Sequence, residues 1–176
     1  VPSSLRSEGG ASFAVQEDGS YLAIGTNADF DAYTFETETS LQHIAALRLE
    51  ALADDSMTKR GPGRAGNGNF GLSRITLSIQ PLAGSKSPTA VKLLEPQATF
   101  QQNDAGLSIA SSLDDNPKTG WAVDPRFGED HAASFRLDTP IGFPEGTRLS
   151  IRLEFNVNNQ HNIGRFRLSL TSIPEP

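Results

Sequence analysis

The chain has 176 residues, with 15 Lys and Arg against 21 Asp and Glu, and therefore a formal net charge of −6. This acidic balance argues against nucleic acid or an anionic membrane as the main partner, and no apolar stretch reaches the roughly 18 residues that cross a bilayer. The absence of cysteine excludes disulfides, thiolate zinc sites and thiol catalysis. We therefore expect a soluble globular domain with no nucleic-acid partner and no membrane insertion.

Alternating apolar and polar residues predict strands along much of the chain. The period of two, expected for a sheet buried on one face, is clearest in four runs: 45–51, 133–137, 149–155 and 166–170. Turn residues, 16 glycines and 11 prolines, separate such runs. The pattern predicts an all-β chain: one antiparallel β-sandwich domain over 1–176, a jelly roll with little helix. Residues 1–10 and 173–176 are expected to be flexible ends.

The first polar loop in chain order, 57–69, contains the spacing G-x-G-x-x-G. Asn-Gly-Asn follows it, where a dinucleotide site needs a helix, so the match does not indicate nucleotide binding. We interpret the segment as a glycine-rich loop that presents Arg64, Asn67 and Asn69 at one end of the sandwich. A purely structural turn is the alternative.

A short helical turn is predicted at 107–113, and a tight turn rich in side-chain oxygens follows it. Asp114, Asn116 and Thr119 offer carboxylate, amide and hydroxyl oxygens at close spacing, the ligand type that calcium prefers. The turn therefore predicts a bound Ca²⁺ with a structural role. The alternative is an ordinary turn closed by its own Asp and Asn side chains, with Trp121 anchored in the core.

Residues 158–162 form a run of amides with one histidine between two predicted strands. Amide and imidazole groups present donors and acceptors in one plane, which suits neighbouring sugar hydroxyls, and Arg165 adds a charged donor nearby. The run indicates a glycan-binding loop, and an ordinary mobile hairpin loop is the alternative.

The sequence motifs of zinc hydrolases and of α/β-hydrolases do not occur in the chain, and a pair of carboxylates does not by itself indicate a glycosidase, because 21 acidic residues form such pairs by accident. The three histidines, His43, His131 and His161, lie in unrelated local settings, and neither H-E-x-x-H nor G-x-S-x-G is present. We expect a protein that is not an enzyme.

Two stretches resemble the discoidin, or coagulation factor five/eight type C, modules of the galactose-binding-like superfamily. The spacing of Asp114, Asn116, Thr119 and Trp121 is similar to that family's signature, and 69–75 is similar to its closing strand, with Arg74 where the family has an acidic residue. The resemblance implies a galactose-binding-like sandwich that binds carbohydrate.

A second resemblance covers nearly the whole chain and is to a segment of large cytochrome-c-domain-containing proteins of planctomycetes. It rests on five stretches: 48–52, 61–65, 67–70, 119–123 and 161–169. It implies an exported, multidomain parent chain, and hence a secreted, periplasmic or cell-surface location. No C-x-x-C-H motif is present, so we expect no haem in this segment.

Together these observations predict a non-catalytic carbohydrate-binding module of a larger exported protein. Because three of the candidate side chains are arginines, an acidic polysaccharide is the preferred ligand. The alternative is a structural spacer that docks onto flanking domains and binds no glycan. The predicted ligand-binding residues are Arg64, Asn67, Trp121, Arg126, Asn162 and Arg165. The predicted metal ligands are Asp114, Asn116 and Thr119.

Overall fold

Two antiparallel sheets pack face to face in the computed structural model, which describes residues 2–84 and 86–173. The strands are β1 (Ser4–Ser7), β2 (Ala11–Val15), β3 (Tyr21–Gly25), β4 (Asp31–Thr39), β5 (Ile44–Leu52), β6 (Arg74–Pro81), β7 (Thr89–Val91), β8 (Leu93–Ala98), β9 (His131–Ile141), β10 (Thr147–Phe155) and β11 (Arg165–Thr171). Two short 3₁₀ helices, Thr58–Arg60 and Ile109–Leu113, accompany them. The predicted antiparallel β-sandwich and the predicted helical turn are confirmed, whereas the jelly-roll connectivity stays a prediction.

The five-stranded sheet has the order β1-β4-β10-β6-β7, and the six-stranded sheet has the order β2-β3-β11-β5-β9-β8. Of the connections that pass from one sheet to the other, two join edge strands and are short: β1 to β2, and β7 to β8, where Lys92 alone separates the strands. The first crossing requires glycine, because a Cβ at Gly9 would lie 2.6 Å from Ala28 Cβ and 2.7 Å from the Asp31 carboxylate. At each lateral edge of the sandwich, a short segment of chain therefore joins the edge strand of one sheet to that of the other.

The interior between the sheets is built from the residues that the period-two pattern places on one face. In β10, Leu149, Ile151, Leu153 and Phe155 are all buried and join the hydrophobic core, while Arg152 and its outward neighbours lie on the other face. Leu47 and Leu49 of β5 belong to the same core. Burial of this much apolar surface is the main stabilising contribution to a sandwich of this kind.

Strand β1 corrects the expectation that residues 1–10 form a flexible end. Its Ser4–Ser7 pair antiparallel with residues 33–36 of β4, and Leu5 packs against the core. The segment is short and polar, so it carries too few apolar positions for a periodic signal. Of the expected flexible end at 173–176, only Ile173 lies within the described residues. Among those residues, no helix is long and apolar enough to cross a membrane.

Candidate functional site

Three loops meet at one end of the sandwich and surround a small pocket of about 110 Å³, which we call the end pocket. They are the β5–β6 loop, the long β8–β9 loop and the β10–β11 loop. The polar lining residues are Asn67, Asn69, Gln102, Asp124, Asn158 and His161, and the apolar ones are Phe70, Gly71, Leu107, Ala122 and Val157. The glycine-rich loop at 57–69 and the amide run at 158–162 are far apart in the sequence. Both thus contribute to one cavity.

Asn69 joins the loops of the end pocket. It is 5% exposed, its Nδ2 donates to Gln102 Oε1 at 3.1 Å, and its Oδ1 accepts from the Val123 backbone N–H at 3.0 Å. Its own backbone N–H donates to Asn67 Oδ1 at 3.0 Å. Gly63 lets the chain close around this residue, because a Cβ there would lie 1.8 Å from Asn69 O. The glycine spacing of the loop therefore serves close packing.

Several polar groups of the end pocket have no hydrogen-bond partner within the described part of the chain. They are Asn67 Nδ2, Gln102 Nε2, the Asp124 carboxylate, the Asn158 amide and His161 Nε2. His161 Nδ1 lies 2.8 Å from the carbonyl oxygen of Asn159, which accepts a hydrogen bond, so the neutral imidazole carries its proton on Nδ1 and presents Nε2 as an acceptor. The pocket thus offers amide donors and carboxylate and imidazole acceptors around one small space.

Backbone hydrogen bonds hold the β10–β11 loop, residues 156–164, on both sides. Gly71 N–H donates to His161 O at 2.8 Å, and Gln160 N–H donates to Asp29 O at 2.8 Å. Arg64 N–H donates to Asn162 O at 2.9 Å. The loop that carries His161 is therefore fixed to the β5–β6 loop and to the segment before β4.

The guanidinium groups of Arg64 and Arg165 form hydrogen bonds with other groups of the protein itself. Arg64 donates to the backbone carbonyls of Thr26 and Gly25, both at 2.7 Å. Arg165 donates to Ser20 Oγ at 2.8 Å and to Asp18 Oδ2 at 3.0 Å. Neither arginine lines the end pocket. Both act as ties between strands and loops of the sandwich.

Trp121 and Asn162 are completely buried, so the structure corrects their expected role as ligand-contacting side chains. The Trp121 indole donates to Phe100 O at 2.9 Å and packs edge-to-face on Phe70 at a centroid distance of 5.0 Å, which leaves no ring face for a sugar. Asn162 Nδ2 donates to Asn27 Oδ1 at 2.8 Å and to Ala28 O at 2.7 Å. Both side chains hold neighbouring loop segments in place through these hydrogen bonds.

Arg126 and Asn67 are the two predicted ligand-binding residues with exposed side chains. The Arg126 guanidinium lies 4.6 Å from the centroid of the Phe100 ring and 4.0 Å from the Glu129 carboxylate. It follows Asp124 by two positions but does not line the end pocket. Of the six predicted ligand-binding residues, only Asn67 therefore contributes to the cavity.

The structure does bring the three predicted metal ligands together. Thr119 Oγ1 donates to the Asp114 carboxylate, at 2.8 Å from Oδ2, and lies 3.0 Å from Asn116 O, while the Asn116 N–H donates to Asp114 Oδ1 at 2.8 Å. The set contains one carboxylate, and Arg74 Nη1 pairs with the adjacent Asp115 at 3.0 Å, whereas calcium takes six to eight oxygens. In the part of the chain that the structure describes, no group of three or more His, Cys, Asp or Glu could hold a metal ion. The donor set as it stands fits a self-closed turn better than a calcium cage, and bound calcium stays a prediction.

Gln102 and Asp124 are the polar pocket residues that the sequence interpretation missed. Both lie in the β8–β9 connection, where no apolar period predicts which side chains face inward. The dipeptide Asp124-Pro125 is a turn signal that marks a loop, but it does not indicate which cavity the carboxylate faces.

Comparison of the chain with family models, with curated proteins and with solved structures finds no match. The resemblance to discoidin modules accordingly stays a prediction.

Proposed function

We propose that the protein is a non-catalytic carbohydrate-binding module whose end pocket recognises a glycan. The observation that carries this proposal is the set of unpaired polar groups around the end pocket, with Gln102 and Asn67 as donors and Asp124 and His161 as acceptors. A sugar hydroxyl both donates and accepts, so neighbouring hydroxyls satisfy such a mixed set. Polar groups that are left unpaired on desolvation cost free energy, which favours a ligand rich in hydroxyls over an apolar one.

The charges around the end pocket favour a neutral glycan over the acidic one expected from the sequence. Arg64 and Arg165 are engaged with the protein, and the carboxylate of Asp124 is the charged group among the lining residues. A uronic acid or a sulfate group would meet this carboxylate without a facing cation, and like charges in a small cavity repel. Neutral sugars avoid that cost.

The two family resemblances support the proposed role of the module and its location outside the cytoplasm. The resemblance to discoidin modules implies a carbohydrate-binding role, and the second resemblance implies an exported parent chain with haem-binding domains elsewhere. We therefore place the module outside the cytoplasm, where it holds a larger chain near polysaccharide.

A glycan array that contains neutral and acidic oligosaccharides, followed by calorimetry on the hits, tests the proposal. Asp124→Asn keeps the size of the side chain and removes its charge, and we expect binding to weaken about tenfold (~1.4 kcal/mol) because a charged acceptor is lost. Asp138→Asn is the matched control, since Asp138 is exposed on β9 and does not line the end pocket. No binding to any glycan, or equal affinities for the two variants, would contradict the proposal.

A structural spacer is the second candidate, and the inward orientation of Arg64, Asn162 and Arg165 favours it. Side chains that tie loops to strands give a rigid body without an exposed recognition surface. This candidate predicts that no glycan on the array binds and that the module associates tightly with flanking domains of the parent chain.

A further inference from the structure

A second concavity, of about 340 Å³, lies on the outer face of the five-stranded sheet. It is lined by Glu8, Gly9, Phe30, Asp31, Ala32, Arg152, Glu154 and Asn156, and we call it the Phe30 groove. Arg152 is fixed in its wall by two carboxylates, with Nη1 2.6 Å from Glu8 Oε1 and Nε 2.9 Å from Glu154 Oε1. The hydrogen bond from Arg152 lowers the pKa of Glu8, so this carboxylate is a charged acceptor at neutral pH.

Phe30 is the one aromatic side chain among the described residues that is largely exposed, at 44%. The indole of Trp121 and the phenol rings of Tyr21 and Tyr33 are buried, so none of them is available to a ligand at the surface. The ammonium of Lys118 lies 5.0 Å from the centroid of Phe30 and 3.4 Å from Asn156 O. Lys118 is exposed and has a flexible stem, so a ligand can displace it from the ring.

The Phe30 groove and the end pocket are lined by adjacent residues of one short stretch of chain. Asn156 lines the groove, and Val157 and Asn158 line the end pocket. The Cα atoms of Asn156 and Asn158 are at most about 7 Å apart, because two residues of chain span no more than that. The hydrogen bond from Gln160 N–H to Asp29 O, at 2.8 Å, fixes the segment that carries Phe30 against the same loop.

An exposed ring among fixed polar groups suits one face of a pyranose. The C–H face of the sugar packs on the electron-rich face of an aromatic ring, while its hydroxyls at the rim reach carboxylate, guanidinium and amide groups. In the groove, Glu154 Oε2 and the Asn156 side-chain amide have no partner within the described residues, so they are available to such hydroxyls.

We infer that the module binds a neutral oligosaccharide of at least two rings, with one ring stacked on Phe30 and a neighbouring ring in the end pocket. This inference rests on the proposed function and adds to it the length of the ligand and a second subsite. It predicts that a monosaccharide occupies the end pocket alone and that longer chains gain affinity through Phe30.

An NMR titration of isotope-labelled protein with cellotetraose, mannotetraose and galactotetraose, and with glucose, mannose and galactose, tests the inference. We expect a tetrasaccharide to shift the signals of Phe30 and Asn156 together with those of Gln102 and His161, and the corresponding monosaccharide to shift the second pair alone. Shifts at Gln102 and His161 alone with every probe would overturn the second subsite and leave the proposed function standing. Shifts confined to Phe30 and Asn156 would overturn the end pocket as the site, and the spanning ligand with it. No shifts at either place would overturn both.

Variants of Phe30 separate stacking from folding. Phe30→Ala and Phe30→Leu should bind the tetrasaccharide at least fivefold more weakly and the monosaccharide with unchanged affinity, since leucine keeps apolar bulk but offers no ring face. Ile24→Ala is the matched control, because Ile24 is exposed to the same 44% and lies outside both concavities. Wild-type affinity of Phe30→Ala for the tetrasaccharide would overturn the inference.

Discussion

Trp121 is the largest fully buried side chain of the hydrophobic core. Indole rings are common sugar-stacking groups, but here the ring is fully buried and its N–H is bonded to Phe100 O. Because it is the single tryptophan in the chain, its fluorescence reports on this one position. We expect blue-shifted emission, weak quenching by acrylamide and no change on addition of saccharide.

The same residue gives a stability prediction. Trp121→Ala should lower the free energy of unfolding by about 3–5 kcal/mol, because a large buried ring is replaced by a cavity. Urea denaturation followed by circular dichroism measures the loss. Emission typical of a solvated indole, or a loss under about 1 kcal/mol, would contradict the assignment of Trp121 to the core.

Asp18 makes the stability of the protein depend on pH. Hydrogen bonds from the Ser20 hydroxyl and backbone N–H, with the charges of Arg165 and Arg167, lower the pKa of Asp18 from 3.8 to about 2. The unfolded chain then binds more protons than the folded one between about pH 4 and about pH 2, so this carboxylate's contribution is complete above that window and is lost within it. Asp18→Asn should therefore be less stable than the wild type at neutral pH, and the difference should shrink as the pH falls from about 4 to about 2.

Urea midpoints measured across this pH range check the prediction for Asp18. Glu17→Gln is a suitable control, because Glu17 is the exposed neighbour in the same turn. A difference between wild type and Asp18→Asn that stays constant over the whole range would show that the carboxylate does not titrate as inferred.

Residue types predicted which groups are able to form hydrogen bonds, but not which partners they have. The sequence presents Arg64 and Arg165 as free donors, because it does not reveal that strand ends bring the carbonyl of Thr26 and the carboxylate of Asp18 within reach. Such partners are 38 and 147 residues away in the chain. Only the folded topology places them side by side.

At the scale of elements, the turn at 114–119 holds itself together. The Asp114 carboxylate accepts from the Asn116 N–H and from the Thr119 hydroxyl. Asp114→Ala should lower the free energy of unfolding by about 1 kcal/mol in buffer that contains a chelator, because these hydrogen bonds are lost in a solvent-exposed turn.

Thermal melts in chelator and in excess calcium measure this effect and test calcium binding in the same experiment. If the predicted ion binds, calcium raises the melting temperature of the wild type and not that of Asp114→Ala. Equal melting temperatures of the two proteins in chelator would contradict the self-closed turn.

The strands were predictable because apolar and polar residues alternate along a strand wherever one face of the sheet is buried. The runs around Leu49, Phe135, Ile151 and Phe166 all became core strands. Strand β1 was not predictable, since four polar-rich residues carry no period. The two polar loops, 57–69 and 158–162, were predicted as loops, and they meet at one end of the sandwich. Gln102 and Asp124 lie in a long connection that has no apolar periodicity, so their place in the pocket was not predictable.

At the scale of the whole molecule, β1 should be needed for stability. It covers the edge of β4, and the Glu8 carboxylate that follows it pairs with Arg152. Deleting residues 1–8 removes a ladder of backbone hydrogen bonds and the packing of Leu5, which together contribute about 3 kcal/mol. The melting temperature should then fall by roughly 6–12 °C in a protein of this size.

Differential scanning calorimetry measures this shift, and deletion of residues 1–2 alone is the control because it leaves every pair of β1 with β4 in place. A melting temperature of the longer deletion within about a degree of the wild type would show that β1 is dispensable.

The hydrogen bonds that hold the β10–β11 loop also bear on the kinetics of association. A loop that is hydrogen-bonded to Gly71 and Asp29 in the free protein needs no ordering when a saccharide binds, so the entropic cost of association is smaller. The proposed association with a saccharide should accordingly follow a single kinetic phase, whose observed rate rises linearly with saccharide concentration.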